Sequence, residues 1–197
     1  MFSRLAVGIT TLKISFQNKP TVARLPCMNN SSEMTSGLSV FCHRRAQDLI
    51  EEGLKAASEG LFDQATKRFK DSLRLDRSAD ALTYWAWVES SKGNLQVAAH
   101  LCREALQIDA DFGNAANDLG SYLAALGQTD LAISYFEKAK NCERYSSRHF
   151  PYMNLGRIYW DRGEYWKAFK EYRQAQKICP DEQSIGAALE KLGQLIL

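Results

Sequence analysis

Beyond residue 45 the apolar positions recur three and four residues apart, as in Ala132, Ile133, Phe136 and Ala139 and again in Ala168, Phe169, Tyr172 and Ala175. That spacing predicts amphipathic helices, each with one face turned to a core. A longer period lies over the short one. Gly60, Gly93, Gly127 and Gly163 each precede an alanine by five residues and a core-type residue by nine, giving Ala65 with Phe69, Ala98 with Cys102, Ala132 with Phe136, and Ala168 with Tyr172. Seven residues before these glycines stand Gly53, Ala86, Gly120 and Gly156, and three residues after the core-type positions stand Ser72, Ala105, Ala139 and Ala175. Glycine takes the left-handed conformation that ends a helix, so each unit reads as two helices with a turn at the central glycine and small side chains where they touch.

A lone pair of helices cannot bury its apolar face, so neighbouring pairs must stack, and at least three are needed for stability. The glycine intervals of 33, 34 and 36 residues define four units, at about 46–78, 79–112, 113–146 and 149–182. Past Pro180, the residues Ile185, Ala188, Leu189, Leu192 and Ile196 lie at helical spacing and predict a capping helix over 183–197. Leu195 and Leu197 add apolar surface beside that stripe, either as a greasy terminus or as a contact for weak self-association.

The pattern resembles the tetratricopeptide repeat family, whose unit carries a large residue, a Leu-Gly pair, a Tyr, and then the spaced Gly, Ala, aromatic and Ala, often with a closing Pro. In the last unit Tyr152, Leu155, Gly156, Tyr159, Gly163, Ala168, Tyr172, Ala175 and Pro180 fill those places, and Leu119, Gly120, Gly127, Ala132, Phe136 and Ala139 do so in the third. The second unit departs with Ala86 for the glycine and Cys102 for the aromatic; the first has Glu52 where Leu is usual and Arg77 where Pro is usual. The resemblance implies an all-α superhelical solenoid of four helix-turn-helix repeats with a C-terminal capping helix.

Composition narrows the function. A hydrophobic content of 45% argues against wholesale disorder, and a net charge of +2 is too balanced for a dedicated nucleic-acid or anionic-membrane binder. The charge is uneven, however. Residues 1–45 carry six basic groups against Glu33 alone, and the first 32 residues have no acidic group. This segment reads as a disordered tail or an organellar transit peptide, unless translation starts at Met28 or Met34. Its longest apolar run, Leu5 to Ile9, is too short for a secretory core or a membrane span. The five cysteines include no CxxC pair, which argues against a metal site or a disulfide framework. Cys102, on a small apolar helix face with Ala98 and Ala105, is expected to be buried. Free thiols favour a reducing compartment, so the cytoplasm is expected, with mitochondrial import as the alternative.

Reactive constellations are missing from the sequence. Its glycines lack the GxGxxG and GxxxxGK[ST] orders, there is no HExxH or GxSxG, and His43, His100 and His149 are far apart. His100 is expected on an exposed helix face. The reading is therefore a non-catalytic protein-interaction module, an adaptor or scaffold with no cofactor and no metal. The alternative is a structural subunit that assembles a larger complex through its outer face and C-terminal helix.

In the family this chain resembles, the first helix of each unit lines a concave groove for a peptide or a partner's helix. The groove-facing candidates that follow are Tyr84 and Trp87, with Asp80, Thr83 and Ser91, in the second unit; Asn114, Asn117 and Asp118, with Ser121, in the third; and Asn154, Arg157 and Trp160, with Phe150 and Met153, in the fourth. Asn offers donor and acceptor to a partner's backbone, Trp and Tyr give contact area at low entropy cost, and Arg157 suits an acidic side chain. Trp87 and Trp160 have packing against a neighbouring repeat as an equal alternative. A subset of the family clamps the terminal carboxylate of a chaperone tail, but only Asn154 and Arg157 resemble that clamp, and Asp118 would repel a carboxylate. The longer third interval falls at residues 143–150. There Arg144, Arg148 and His149, beside Tyr145 and Phe150, suit either an anion or partner contact or the simpler task of bonding the carbonyls of the preceding helix.

Overall fold

A computed structural model describes the backbone of residues 31–196 and the side chains of residues 39–196. The expectations for residues 1–30 and for Leu197 lie outside the described residues. Helices follow one another as α1 (Ser31–Ser58), α2 (Phe62–Leu75), α3 (Ala79–Ser91), α4 (Leu95–Ile108), α5 (Gly113–Ala125), α6 (Thr129–Asn141), α7 (His149–Asp161), α8 (Tyr165–Ile178) and α9 (Gln183–Ile196). No strand interrupts them among the described residues.

The four turn glycines end their helices in the same way. Their φ values run from 73° at Gly163 to 86° at Gly93, a range that strains any side chain with a Cβ. At Gly93 the glycine N–H donates to Ser90 O at 3.0 Å and the next N–H, of Asn94, donates to Glu89 O at 2.9 Å. Gly60, Gly127 and Gly163 repeat both bonds in the other three units, so each first helix closes on the same glycine cap.

The close approach of the two helices in a pair has an atomic cause. A Cβ built on Gly120 would lie 2.7 Å from Phe136 Cε1, and Gly53 and Gly156 stand in the same relation to Phe69 and Tyr172. The second unit keeps this logic by exchanging both partners: Ala86 brings a Cβ, Cys102 replaces the ring, and both are fully buried. Its departure from the repeat pattern is thus a compensated pair of small changes.

Pairs α1–α2, α3–α4, α5–α6 and α7–α8 pack most extensively, and each second helix then meets the next first helix. Successive first helices α1, α3, α5 and α7 also touch one another, whereas second helices make no comparable contact among the described residues. The first helices therefore line the inside of the curve. Helix α9 closes the stack by burying Ile185, Leu189 and Leu192 against α8, while Leu195 stays exposed.

Helix α1 corrects one expectation. It starts at Ser31 and so takes in residues 31–45, which the sequence reading assigned to a tail. The packed part still starts at Ala46, followed by Leu49 and Ile50, while Val40 and Phe41 are 64% and 58% exposed. Exposed positions such as Val40 and Phe41 leave no buried apolar face for a helical period to mark. Glu52, at a place where leucine is usual, pairs with Arg45 at 3.0 Å and Arg68 at 3.1 Å.

Candidate functional site: the concave strip of α3, α5 and α7

Polar side chains on the inner helices meet across repeat boundaries. Asn154 on α7 donates its Nδ2 to Asn117 Oδ1 on α5 at 3.0 Å. Asn117 in turn directs its Nδ2 to Asp118 Oδ1 at 3.4 Å, and its backbone carbonyl accepts from Ser121 Oγ at 3.1 Å. Asn117 is buried, and its amide orientation follows from the bond that Asn154 makes to its oxygen.

Asp118 is reached by solvent yet walled in by its neighbours. Burial pushes its carboxyl up to about 6, and the bond from Asn117 offsets this only in part. Its charge is felt by Tyr84 on α3, Cys102 on α4, Tyr122 on α5 and Tyr145 in the loop after α6. Each of these groups ionises at higher pH than usual, chiefly because it is buried and secondly, except at Tyr84, because Asp118 is near. At Tyr84, after burial, Asp80 raises the phenol more than Asp118 does, and Arg144 opposes both.

Arg144 organises the rest. Its guanidinium lies 2.5 Å from Asp80 on α3 and 2.7 Å from Asp109 at the end of α4, and it rests on the Phe112 ring at 4.3 Å. The bond from Arg144 holds the Asp109 carboxyl below its usual range. Asp111 accepts the backbone N–H of Glu143 at 3.0 Å and of Arg144 at 3.3 Å, and Gly113 N donates to Arg144 O at 3.2 Å. The longer third interval is thus spent on a brace that ties the end of the third unit back to the second. Arg144 itself bonds carboxylates rather than the carbonyls of the preceding helix. Tyr145, buried over Gly113, is likewise inside the fold. Arg148 does donate to a carbonyl, Glu143 O at 3.2 Å. The sequence sign of this brace was the longer third interval at residues 143–150.

Of the candidate residues, Asn117, Asp118 and Asn154 come together in one strip, whereas Tyr84, though it feels the Asp118 charge, stacks on Phe69 with ring centroids 6.1 Å apart. Trp87 is half-buried in the core that α1, α2 and α3 share. Trp160 turns edge-on to Tyr165, 6.1 Å away, at its own unit's turn. Arg157 is exposed and its charge reaches Tyr172, while Asn114 is half-buried near the start of α5. Thr83, also on α3, is buried and donates to Ala79 O at 2.8 Å, so it offers nothing to a ligand. His100 is exposed beside Glu104 at 3.1 Å, and Cys102 is fully buried. Among the described residues no cluster of three or more His, Cys, Asp or Glu could hold a metal ion, and no helix is long and apolar enough to cross a membrane.

Stacked helix pairs with identical glycine caps and a polar inner strip define an α-solenoid repeat protein. Two family models described as tetratricopeptide repeat match the chain, over residues 43–114 and 111–181, and the chain belongs to that family. No curated protein shows significant sequence similarity to it. Similar solved structures include PilF of Pseudomonas aeruginosa, with 21% identity, a TM-score of 0.73, and cover of 77% of this chain and 68% of that one. MamA matches with 20% identity and a TM-score of 0.63 over 76% of this chain and 81% of its own. A chain of the APC/C hetero-tetramer Cut9-Hcn1 matches with 18% identity and a TM-score of 0.66 over 76% of this chain and 30% of its own.

Proposed function

We propose that this protein is a non-catalytic adaptor whose concave strip receives an extended segment of a partner protein. Protein interaction is the general role that tetratricopeptide repeats support, and the binding mode is our reading of the geometry. The observation that carries it is the bonded run Asn154, Asn117 and Asp118, which spans two repeats and presents polar groups along the path a backbone would follow. Stacked helices hold these groups before a partner arrives, so the ordering cost falls on the partner's segment. Partner recovery from the native cell, compared between the wild-type chain and an Asn117→Ala, Asn154→Ala double variant, tests this reading. Loss of the partner in the variant, with the helical signal intact, is the expected result.

A second reading has its own observation. Leu131 and Trp166 on the second helices and Leu195 on α9 are 52%, 63% and 53% exposed, which favours an assembly subunit, or a chain that self-associates weakly, through its outer face and C-terminal helix. Partner recovery that survives the double variant but fails on deleting residues 193–197 would select it. We propose a cytoplasmic location, supported by the free thiols of Cys42, Cys102, Cys142 and Cys179, and imaging together with the mature amino-terminal sequence decides between that and import.

A further inference from the structure

We infer that the outer face of α8 docks an acidic helix of a partner protein, whose carboxylates meet Lys170, Arg173 and Lys177 while an apolar side chain covers Trp166. This site lies apart from the concave strip; it rests on the outer-face reading above and gives that reading its chemistry. Ala168 and Ala175 turn into the core and are fully buried. At about 100° per residue, Trp166, Lys170, Arg173 and Lys177 fall on the opposite side of the helix, and all four are exposed. Their spacing of four, three and four residues is that of a seam along which one helix packs on another.

Among the described residues no acid pairs with these three cations. Lys167 pairs with Glu164, and Glu171, the acid of α8 itself, is taken by Lys140 at 2.8 Å. Arg173 donates to the amide oxygen of Gln176 at 3.0 Å. The same outward places on other second helices are filled differently. On α2, Lys70 lies over Trp85 at 4.7 Å and Arg74 pairs with Asp71 at 2.7 Å. On α6 the places of Trp166 and Arg173 hold Asp130 and Glu137, which pair with Arg162 and Lys140. Helix α8 instead combines unpaired cations with a large exposed ring. That ring stands edge-on to Phe169 at 6.0 Å, which holds it in place before a partner arrives.

The surroundings select the occupant. Helix α6 is tied to α8 by Lys140 and Glu171, and its Asp130 and Glu137 are exposed beside the stripe. A broad polyanion, such as an anionic bilayer or a nucleic-acid duplex, would meet like charge there. A single helix, about 10–12 Å wide, fits on α8 alone. Within this chain α1 comes nearest to the complement, but it follows Asp48 and Glu52 with Lys55 at the same spacing, so the helix belongs to another protein.

The test displays on phage an alanine-rich helix of about twenty residues, long enough to span the stripe, with one face randomised, and selects it on the full chain. Recovered peptides are measured by calorimetry against the wild type, a Lys170→Glu, Arg173→Glu, Lys177→Glu triple variant, Trp166→Ala, and the Asn117→Ala, Asn154→Ala double variant. The expected peptides carry acids and one large apolar residue at the four, three, four spacing. They should bind the triple variant at least about thirtyfold more weakly, Trp166→Ala about tenfold more weakly, and the double variant as tightly as the wild type. Absence of any enriched peptide, or equal binding to the triple variant and the wild type, overturns the site. If such peptides fail instead on deleting residues 193–197, this site falls and the outer-face reading stands. Loss of binding in the double variant alone moves the peptides to the concave strip and likewise overturns the site. Peptides that bind as well after a proline breaks their helix overturn the choice of a helix. Phosphatidylserine vesicles or a DNA duplex bound by the wild type and released by the triple variant overturn the choice of a protein partner. The replaced side chains are exposed, so all three α8-directed outcomes should be read on variants that keep the wild-type helical signal and melting temperature.

Discussion

The two sides of helix α5 obey opposite rules. Toward α6, Gly120 lies under the Phe136 ring with no room for one added carbon; toward the hollow, Asn117 and Asp118 hold polar atoms in a half-buried strip that solvent still reaches. The first side sets the distance between helices and is intolerant of volume. The second side spends stability on holding a half-buried carboxylate. A residue's cost of change should therefore depend on which side it faces.

The largest effect is expected at the seam. Phe136→Ala empties a fully buried site and should cost about 3–5 kcal/mol in urea unfolding, whereas Cys102→Ala, at the same place in the second unit, should cost far less because so little volume is removed.

On the other side of α5 the sign reverses. Asp118→Asn should stabilise the chain at neutral pH by about 2–3 kcal/mol, since the native carboxyl titrates at about 6 against 3.8 for an unperturbed one. Between those values the folded state keeps a proton that the unfolded state has released. This residue therefore lowers stability as pH rises from about 4 to about 6, with the full penalty above that window. The difference between wild-type and variant melting curves should grow over that window and then level off. A flat difference would mean that the carboxylate is solvated as in water.

Next in size is Gly120→Ala, expected to cost about 1–3 kcal/mol by overpacking against Phe136. Combining it with Phe136→Cys rebuilds the Ala86 and Cys102 pairing of the second unit. The double variant should be more stable than the sum of the two separate losses predicts, and additive losses would refute the account of that pairing. Smallest is Arg144→Ala, about 1 kcal/mol, because its ion pairs with Asp80 and Asp109 are partly solvated. Its mark should be local: faster amide exchange at Gly113 and Arg144, with α8 and α9 unaffected.

The seam was legible in the sequence and the strip only half so. Gly53, Gly120 and Gly156 recur at fixed distances from an aromatic, because two helices can approach only where one of them lacks a side chain, and that requirement leaves a period. The candidates Tyr84, Asn117, Asp118 and Asn154 came from the same period by way of the family resemblance, which says which helix lines the hollow. It does not say how far around that helix each residue sits. Trp87 and Trp160 were nominated on equal footing and went to a core and to a turn, since a large ring takes whichever apolar surface lies beside it. Arg144 was visible only as part of an irregular loop, and its partners Asp80 and Asp109 are 64 and 35 residues away in the chain.

What the sequence determined by itself was therefore everything that repeats: helices, turns, glycine caps, and the stacking that hides one apolar face against the next. Those features arise from local spacing and from steric limits that act within a single unit, so they can be read one unit at a time. Tertiary structure alone decided what happens once: the brace at Arg144 and the amide chain from Asn154 to Asp118. Such features depend on which unlike residues the superhelix brings face to face, and hydrogen bonds and charges act through space with no record of distance along the chain.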